Sequence, residues 1–392
     1  MKKLMYIFFA LLVGVLNQSC KEEPRLDHFD LDAPAPQQIG NVKVENTPGG
    51  AWLTYNLNTD ANLSYVKAVY EIQPGVFKET RSSIYTDTLK LEGFGKTEDY
   101  DVKVFSVGKN EKESEPTIVK IHPLTPPVQL AFNDLTVEAG FGGIKIRIKN
   151  ALKANLAIVV DADTSGKGAL RPLQTFYTTA TEASFSVRGL SDKEKKFSVY
   201  LRDRWGNLSL AIVKNLTPLF EQKIPKPFGT YNLPTDQPAM SATYALSLMW
   251  DNLVNTGIYA TANNTPIPQW FTFSLNNPVV ISRMKMHQRT PPFTYLGACV
   301  KVFELYGSNA PAADGSWASW TLLGKFNSFK PSGPGIVTTE DNTYAFTNGE
   351  DFELDYIPPA YKYIRIKTLE TWGGTGQVTI AEISFWGSIV KN

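Results

Sequence analysis

Three observations predict an all-β protein made of successive antiparallel sandwiches. Short runs of alternating apolar and polar residues recur between turn residues, and the first hundred or so positions offer no convincing helical period. Composition leans toward strand formers, with 22 Phe, 17 Tyr and 8 Trp among many Thr and Val. The plan also repeats: Gly50 to Gly143 spans 93 positions and Tyr100 to Phe197 spans 97. Nearly equal offsets, each close to the ~100 residues of one small sandwich, argue for tandem modules. With 392 residues, 43% hydrophobic and 20% charged, the chain has material for two to four folded domains. A formal net charge of +1 leaves no basic surplus to track phosphate, so nucleic acid is not an expected partner.

The N-terminus, "MKKLMYIFFALLVGVLNQSCKEEP", has two lysines and then an apolar run from Leu4 to Leu16. That run is too short to span a bilayer but suits a secretory signal. It ends at Cys20, followed by Lys21, Glu22 and Glu23. The segment resembles a bacterial lipoprotein signal, although Asn17 stands where the usual pattern has the aliphatic residue that here is Leu16. The "CKEE" start is similar to the export tag of surface lipoproteins of the Bacteroidetes. The resemblance implies removal of residues 1–19 and lipidation of Cys20, with more than one acyl chain for stable membrane anchoring. The alternative is a soluble secreted protein with a stray cysteine. Loss of Lys2 and Lys3 takes the charge from +1 down by two, to −1. Cys299 is then the one unmodified cysteine, so no internal disulfide forms, and "LGACVKVFELYG" reads as a strand burying it.

Residues 20–33 are polar and aperiodic, a tether. Over 34–124 the runs "GGAWLTYNL", "LSYVKAVYEI", "DTLKLEGF" and "DYDVKVFSVGK" read as strands of one sandwich. Over 125–219, "PPVQLAFNDLTVE" parallels the first module's opening, "GFGGIKIRIKN" parallels "PGGAWLTYNL" and "KKFSVYLRDRWGN" parallels "DYDVKVFSVGKN". Both modules resemble fibronectin type III domains of the immunoglobulin-like class, the second less closely because Ile144 stands where the first has Trp52. Trp205 falls at a Gly-Asn turn, packed flat or exposed.

A Pro- and Lys-rich linker covers 220–229. Beyond it, over 230–390, "LMWDNLVNTGIYA", "PQWFTFSLNNPVVISRMKMHQR", "KVFELYGSN", "WASWTLLGKF", "YKYIRIKTLETWGG" and "VTIAEISFWG" follow in order. Together they resemble the discoidin, or coagulation factor type C, family of galactose-binding-like jelly-roll sandwiches. The complete layout is similar to surface lipoproteins of Bacteroidetes polysaccharide-utilisation loci.

Enzyme signatures are scarce. His28, His122 and His287 lie in three separate segments, which makes a clustered His metal site or a Ser-His-Asp triad hard to assemble. "DADTSGKGAL" from Asp161 fails as an EF-hand loop because Pro172 occupies its twelfth position. It fails as a phosphate loop for want of the leading glycine and of a Ser or Thr after Lys167. It reads as a polar hairpin. Paired carboxylates for glycoside hydrolysis stay open, since a sequence gives no separations.

The discoidin resemblance implies two sites. Many carbohydrate modules of that family hold a structural calcium with an Asp and a Thr of one loop and a Glu of the last strand. Asp251, Thr256 and Glu382 fall on those positions, with Asn252 where the family usually has Gly. The alternative is a turn pinned by Asp251 alone. The resemblance also places a sugar site in the loops at one end, with an aromatic ring from the loop before the final strand. Trp372 in "ETWGGTG" is that candidate platform, or else a ring packed on the sandwich. Glycines 373 and 374 either admit a ligand or make the turn. His287, Arg289 and Tyr295 are candidate hydrogen-bonding partners. Arg283, Lys285, His287 and Arg289 alternate onto one face, opposite inward Met284 and Met286. The expected protein is a non-catalytic lipoprotein of the outer membrane's exterior face, capturing polysaccharide or oligosaccharide for a neighbouring importer. A protein-binding component of the uptake complex is the second expectation, and a hydrolase the third.

Overall fold

The computed structural model describes residues 30–390 and is all-β, three sandwiches in succession. Cys20 and His28 lie outside the described residues. The first module comprises β1 Gly40–Thr47, β2 Gly50–Asn56, β3 Leu63–Gln73, β4 Val76–Ser83, β5 Thr88–Glu92, β6 Tyr100–Gly108 and β7 Thr117–Ile121. A three-stranded sheet, β1-β2-β5, faces a four-stranded one, β4-β3-β6-β7. Alternate residues such as Ala51, Leu53 and Tyr55 of β2 and Val66, Ala68 and Tyr70 of β3 meet in the core between them.

The second module repeats this arrangement with β8 Thr136–Gly140, β9 Gly143–Lys149, β10 Leu156–Ala162, β11 Arg171–Thr178, β12 Glu182–Val187, β13 Lys195–Asp203 and β14 Leu208–Leu216. Its sheets are β12-β9-β8 and β11-β10-β13-β14. The sequence landmarks fall on corresponding strands, and the two glycines share a cause. A Cβ on Gly50 would stand 2.1 Å from the carbonyl oxygen of Leu91, and one on Gly143 would stand 2.0 Å from that of Val187. One difference appears at "PPVQLAF", expected as a strand-like opening, which forms helix α1, Pro127–Asn133. Proline at the first helical turn is pre-set for that conformation, and Val128 and Ala131 then seal the end of the core.

The jelly roll contains β15 Gln222–Lys223, β16 Gly229–Thr230, β17 Tyr259–Ala260, β18 Gln269–His287, β19 Val300–Ser308, β20 Thr321–Asn327, β21 Glu350–Glu353, β22 Tyr361–Thr371, β23 Thr379–Ile380 and β24 Glu382–Ile389. Its eight-stranded sheet runs β15-β24-β18-β22-β19-β20, with β16 and β21 also on β18. The long β18 turns a corner where its register shifts between Ser274 and Val279, with Asn276 at φ +70°. Before the corner it pairs β22 and β16, and after it, past one last β22 pair at Val279, it pairs β24 and β21. Phe271 and Phe273 from one half therefore share a core with Met284 and Met286 from the other. On the outer face, the segment carrying Trp317 and Trp320 covers Arg365, whose guanidinium lies 4.6 and 4.4 Å from the two indole rings and pairs with Asp236 at 3.3 Å.

Side chains close both junctions. Trp205 packs on Gly93, Asn207 Nδ2 donates to the Gly93 carbonyl at 3.0 Å, and Gln73 donates to Asn207 Oδ1 at 2.9 Å. Between the second module and the jelly roll, Glu353 accepts from Lys145 at 3.0 Å and Ser186 at 2.7 Å, and pairs with Arg188 at 3.0 Å. Arg188 also reaches Glu221 at 2.6 Å. Among the described residues no helix is long and apolar enough to cross a membrane.

Candidate functional site

The turn carrying Trp372 leaves β22 and is stitched to the loop before β19. The Trp372 amide donates to the Cys299 carbonyl at 2.9 Å, and the Gly373 amide to that of Gly297 at 2.8 Å. A Cβ on Gly373 would sit 2.6 Å from the Gly297 Cα, so this glycine serves the approach of one loop to another. Gly374, at φ +64°, makes the turn. The indole is half-buried: its Nε1–H donates to Ser328 Oγ at 3.2 Å, and its ring meets Tyr295 edge-to-face at 4.9 Å.

Tyr295 cannot serve as an open hydroxyl, as the sequence led us to expect. Its side chain is buried, its backbone is left-handed at φ +56°, and its hydroxyl donates to the Phe329 carbonyl at 2.6 Å. It is the wall against which Trp372 rests.

Behind both rings lies a buried carboxylate that sequence reasoning missed. Glu350 Oε1 accepts from Ser328 Oγ at 2.7 Å and Gln288 Nε2 at 2.8 Å, and its Oε2 accepts from the Phe329 amide at 2.8 Å. Gln288 Oε1 in turn accepts from the Tyr295 amide at 2.7 Å. Burial pushes the Glu350 carboxyl above the usual range, and these three donors restrain the rise. The Phe329 ring, 61% exposed, stands beside this network. One signal was available: the alternation that turns Met284 and Met286 inward also turns Gln288 inward. Ser328, Phe329 and Glu350 carried none.

His287, by the same alternation, leaves β18 on the face opposite Gln288. Its Nδ1 bonds the Phe346 carbonyl at 2.7 Å, and burial lowers its proton affinity. A Cβ on Gly349 would sit 2.6 Å from His287 Nε2, so the ring is walled in by the segment before β21. The structure therefore does not join His287 to the Trp372 network, which corrects that expectation. Arg289 follows Gln288, and its guanidinium lies 4.2 Å from the centre of the half-exposed Phe293 ring. Lys301 Nζ lies 5.8 Å from the Trp372 ring centre.

The calcium positions tell a different story. Asn252 does adopt the left-handed conformation, φ +68°, and Asp251 Oδ1 accepts from the Leu253 amide at 2.8 Å. Thr256, however, is exposed, and the buried Glu382 is paired with the Lys226 ammonium. Burial pushes Lys226 down and Glu382 up, while the opposite charge of each restrains the other. Lys226 takes Glu382 Oε1, Oε2 of the same carboxylate has no hydrogen-bond partner among the described residues, and Thr256 is exposed, so a calcium ion at Asp251, Thr256 and Glu382 would have to displace an ammonium. Among the described residues no group of three or more His, Cys, Asp or Glu is placed to hold a metal.

Residues 36–123, 124–227 and 250–387 match three families, each described as a domain of unknown function, DUF4959, DUF5126 and DUF5000 respectively. No protein with a curated description matches the chain. Among solved structures, an F5/8 type C domain from Bacteroides fragilis is 14% identical, covering 43% of this chain and 98% of that one at a TM-score of 0.30. A CBM32 module bound to GalNAc is also 14% identical, covering 41% and 98% at 0.28. A SusE-like protein is 31% identical, with 68% of this chain and 100% of that one covered and a TM-score of 0.45. On sequence identity over the whole of that relative, the chain belongs to the SusE-like proteins.

Proposed function

We propose that the protein is a non-catalytic carbohydrate-binding lipoprotein, anchored through Cys20 at the outer face of the outer membrane, that captures polysaccharide for uptake. One observation carries the reading: the exposed Phe329, through its backbone amide, and the half-buried Trp372 indole, through Ser328, are both tied to the buried carboxylate of Glu350. A pyranose has a face of C–H groups that can lie on such rings. Each contact that covers ~100 Å² contributes roughly 2.5 kcal/mol at about 25 cal/mol/Å². Because the Trp372 indole and the Phe329 backbone are held before ligand arrives, less ordering entropy opposes binding. Lys301 stands over the Trp372 ring, and Arg289 against Phe293 in the loop that carries Tyr295, as donors for hydroxyls. A shallow site of this size binds weakly, and many anchored copies along one polymer raise the avidity.

Affinity electrophoresis through gels containing a panel of polysaccharides tests this reading. The expected result is retardation on at least one glycan, reduced about tenfold in Phe329→Ala, whose exposed ring contributes little to folding. Trp372→Ala should weaken binding further. Absence of retardation on every glycan, with co-purification of a membrane protein, favours the protein-binding role instead. Release of sugars from the panel points to a hydrolase.

A further inference from the structure

The chain segment between the second module and the jelly roll is threaded into the jelly roll. Ile224 is buried in that core and its amide donates to the Phe385 carbonyl at 2.8 Å. Phe228 packs on Trp250, Phe273 and Phe385 with ring centres 5.7 to 5.9 Å away. The Pro227 carbonyl accepts from Asn276 Nδ2 at 2.9 Å. Between these anchors Lys226 turns its side chain inward, where it is 5% exposed, against the Glu382 side chain at 4%. Glu382 begins β24, and the Asp251–Asn252 turn adjoins the pair closely enough for Asp251 to act on both charges.

We propose that Lys226 is a tethered cation that replaces a calcium ion in this jelly roll, so that the linker itself clamps the 251–257 loop region and the last strand. Two features support it. A divalent ion needs hard oxygen donors, and here Oε1 of the buried carboxylate is taken by an ammonium supplied from within the chain, while its Oε2 has no hydrogen-bond partner among the described residues. That ammonium cannot leave, because residues on both sides of it are held in the core. A metal site responds to the free ion concentration and to chelators, whereas a lysine clamp responds to neither. It also makes seating of the linker a condition for completing the jelly roll.

The test is thermal unfolding of the full chain with excess calcium, with chelator, and in two variants. The expected result is the same midpoint for the wild type in both media. Lys226→Met leaves Glu382 buried and unpaired, and should lower the midpoint by about 5–10 °C. The double variant Lys226→Met with Glu382→Gln should recover most of that loss, because the stranded charge is gone. A wild-type midpoint that rises with calcium and falls with chelator overturns the proposal without any variant being needed. So does a double variant no more stable than Lys226→Met. If Lys226→Met fails to fold, recovery of folding in the double variant supports the same conclusion.

Discussion

Glu350 is a carboxylate buried without a cation, and its three donors are a serine hydroxyl, a glutamine amide and one backbone N–H. Glu350→Ala strands those donors and loosens both Trp372 and Phe329. A loss of about 3 kcal/mol is expected in urea denaturation, together with loss of glycan retention. Glu350→Gln retains an acceptor and should keep part of both. Residues of this kind are hard to find in a sequence. Trp372 could be located because an indole between a strand and two glycines is unusual in itself. Ser328 and Glu350 are ordinary polar residues whose meaning arises only when β20 and β21 bring their ends together. Tyr295 reads as a candidate hydrogen-bonding partner in the loop after a strand, but its backbone is left-handed and its side chain is buried.

Among the elements, β22 carries the clearest conflict between pattern and outcome. "YKYIRIKTLE" alternates, so Ile364 and Ile366 are legible as core and Arg365 as a solvent-facing charge. Arg365 is on the outward face, yet it is 0% exposed because the Trp317–Trp320 segment folds over it. Burial lowers its proton affinity and raises that of Asp236, and their opposite charges hold the pair together. Arg365→Ala should cost about 3–5 kcal/mol, since it leaves Asp236 buried alone and removes the flat partner between two indoles. Arg365→Met restores bulk but not charge, and comparing the two by calorimetry separates packing from pairing. The 19-residue β18 falls within the single run "PQWFTFSLNNPVVISRMKMHQR", while its corner at "NNP" appears only in the structure.

On the scale of the molecule, the repeated plan was readable from two spacings, while the junctions were not. Lys145, Arg188 and Glu353 resemble solvated surface charges until they are found together across a boundary. Burial alone would raise the Glu353 carboxyl, but the charges of Arg188 and Lys145 outweigh it and hold it down at about 2, against an ordinary value of 4.5. A depressed carboxyl stabilises the fold fully above 4.5 and loses that contribution as pH falls toward 2. Denaturation of wild type and Glu353→Gln should therefore differ by up to about 3 kcal/mol near neutrality and converge near the acid limit. A gap independent of pH over that window would assign the bonds no role in titration.

The two junctions also bear on mechanics. Each is bonded through side chains on both partners, Trp205 and Asn207 at one and Glu353 and Arg188 at the other, with no glycine-rich hinge between blocks. A pull on the jelly roll is therefore passed through the second module to the first instead of being taken up as slack.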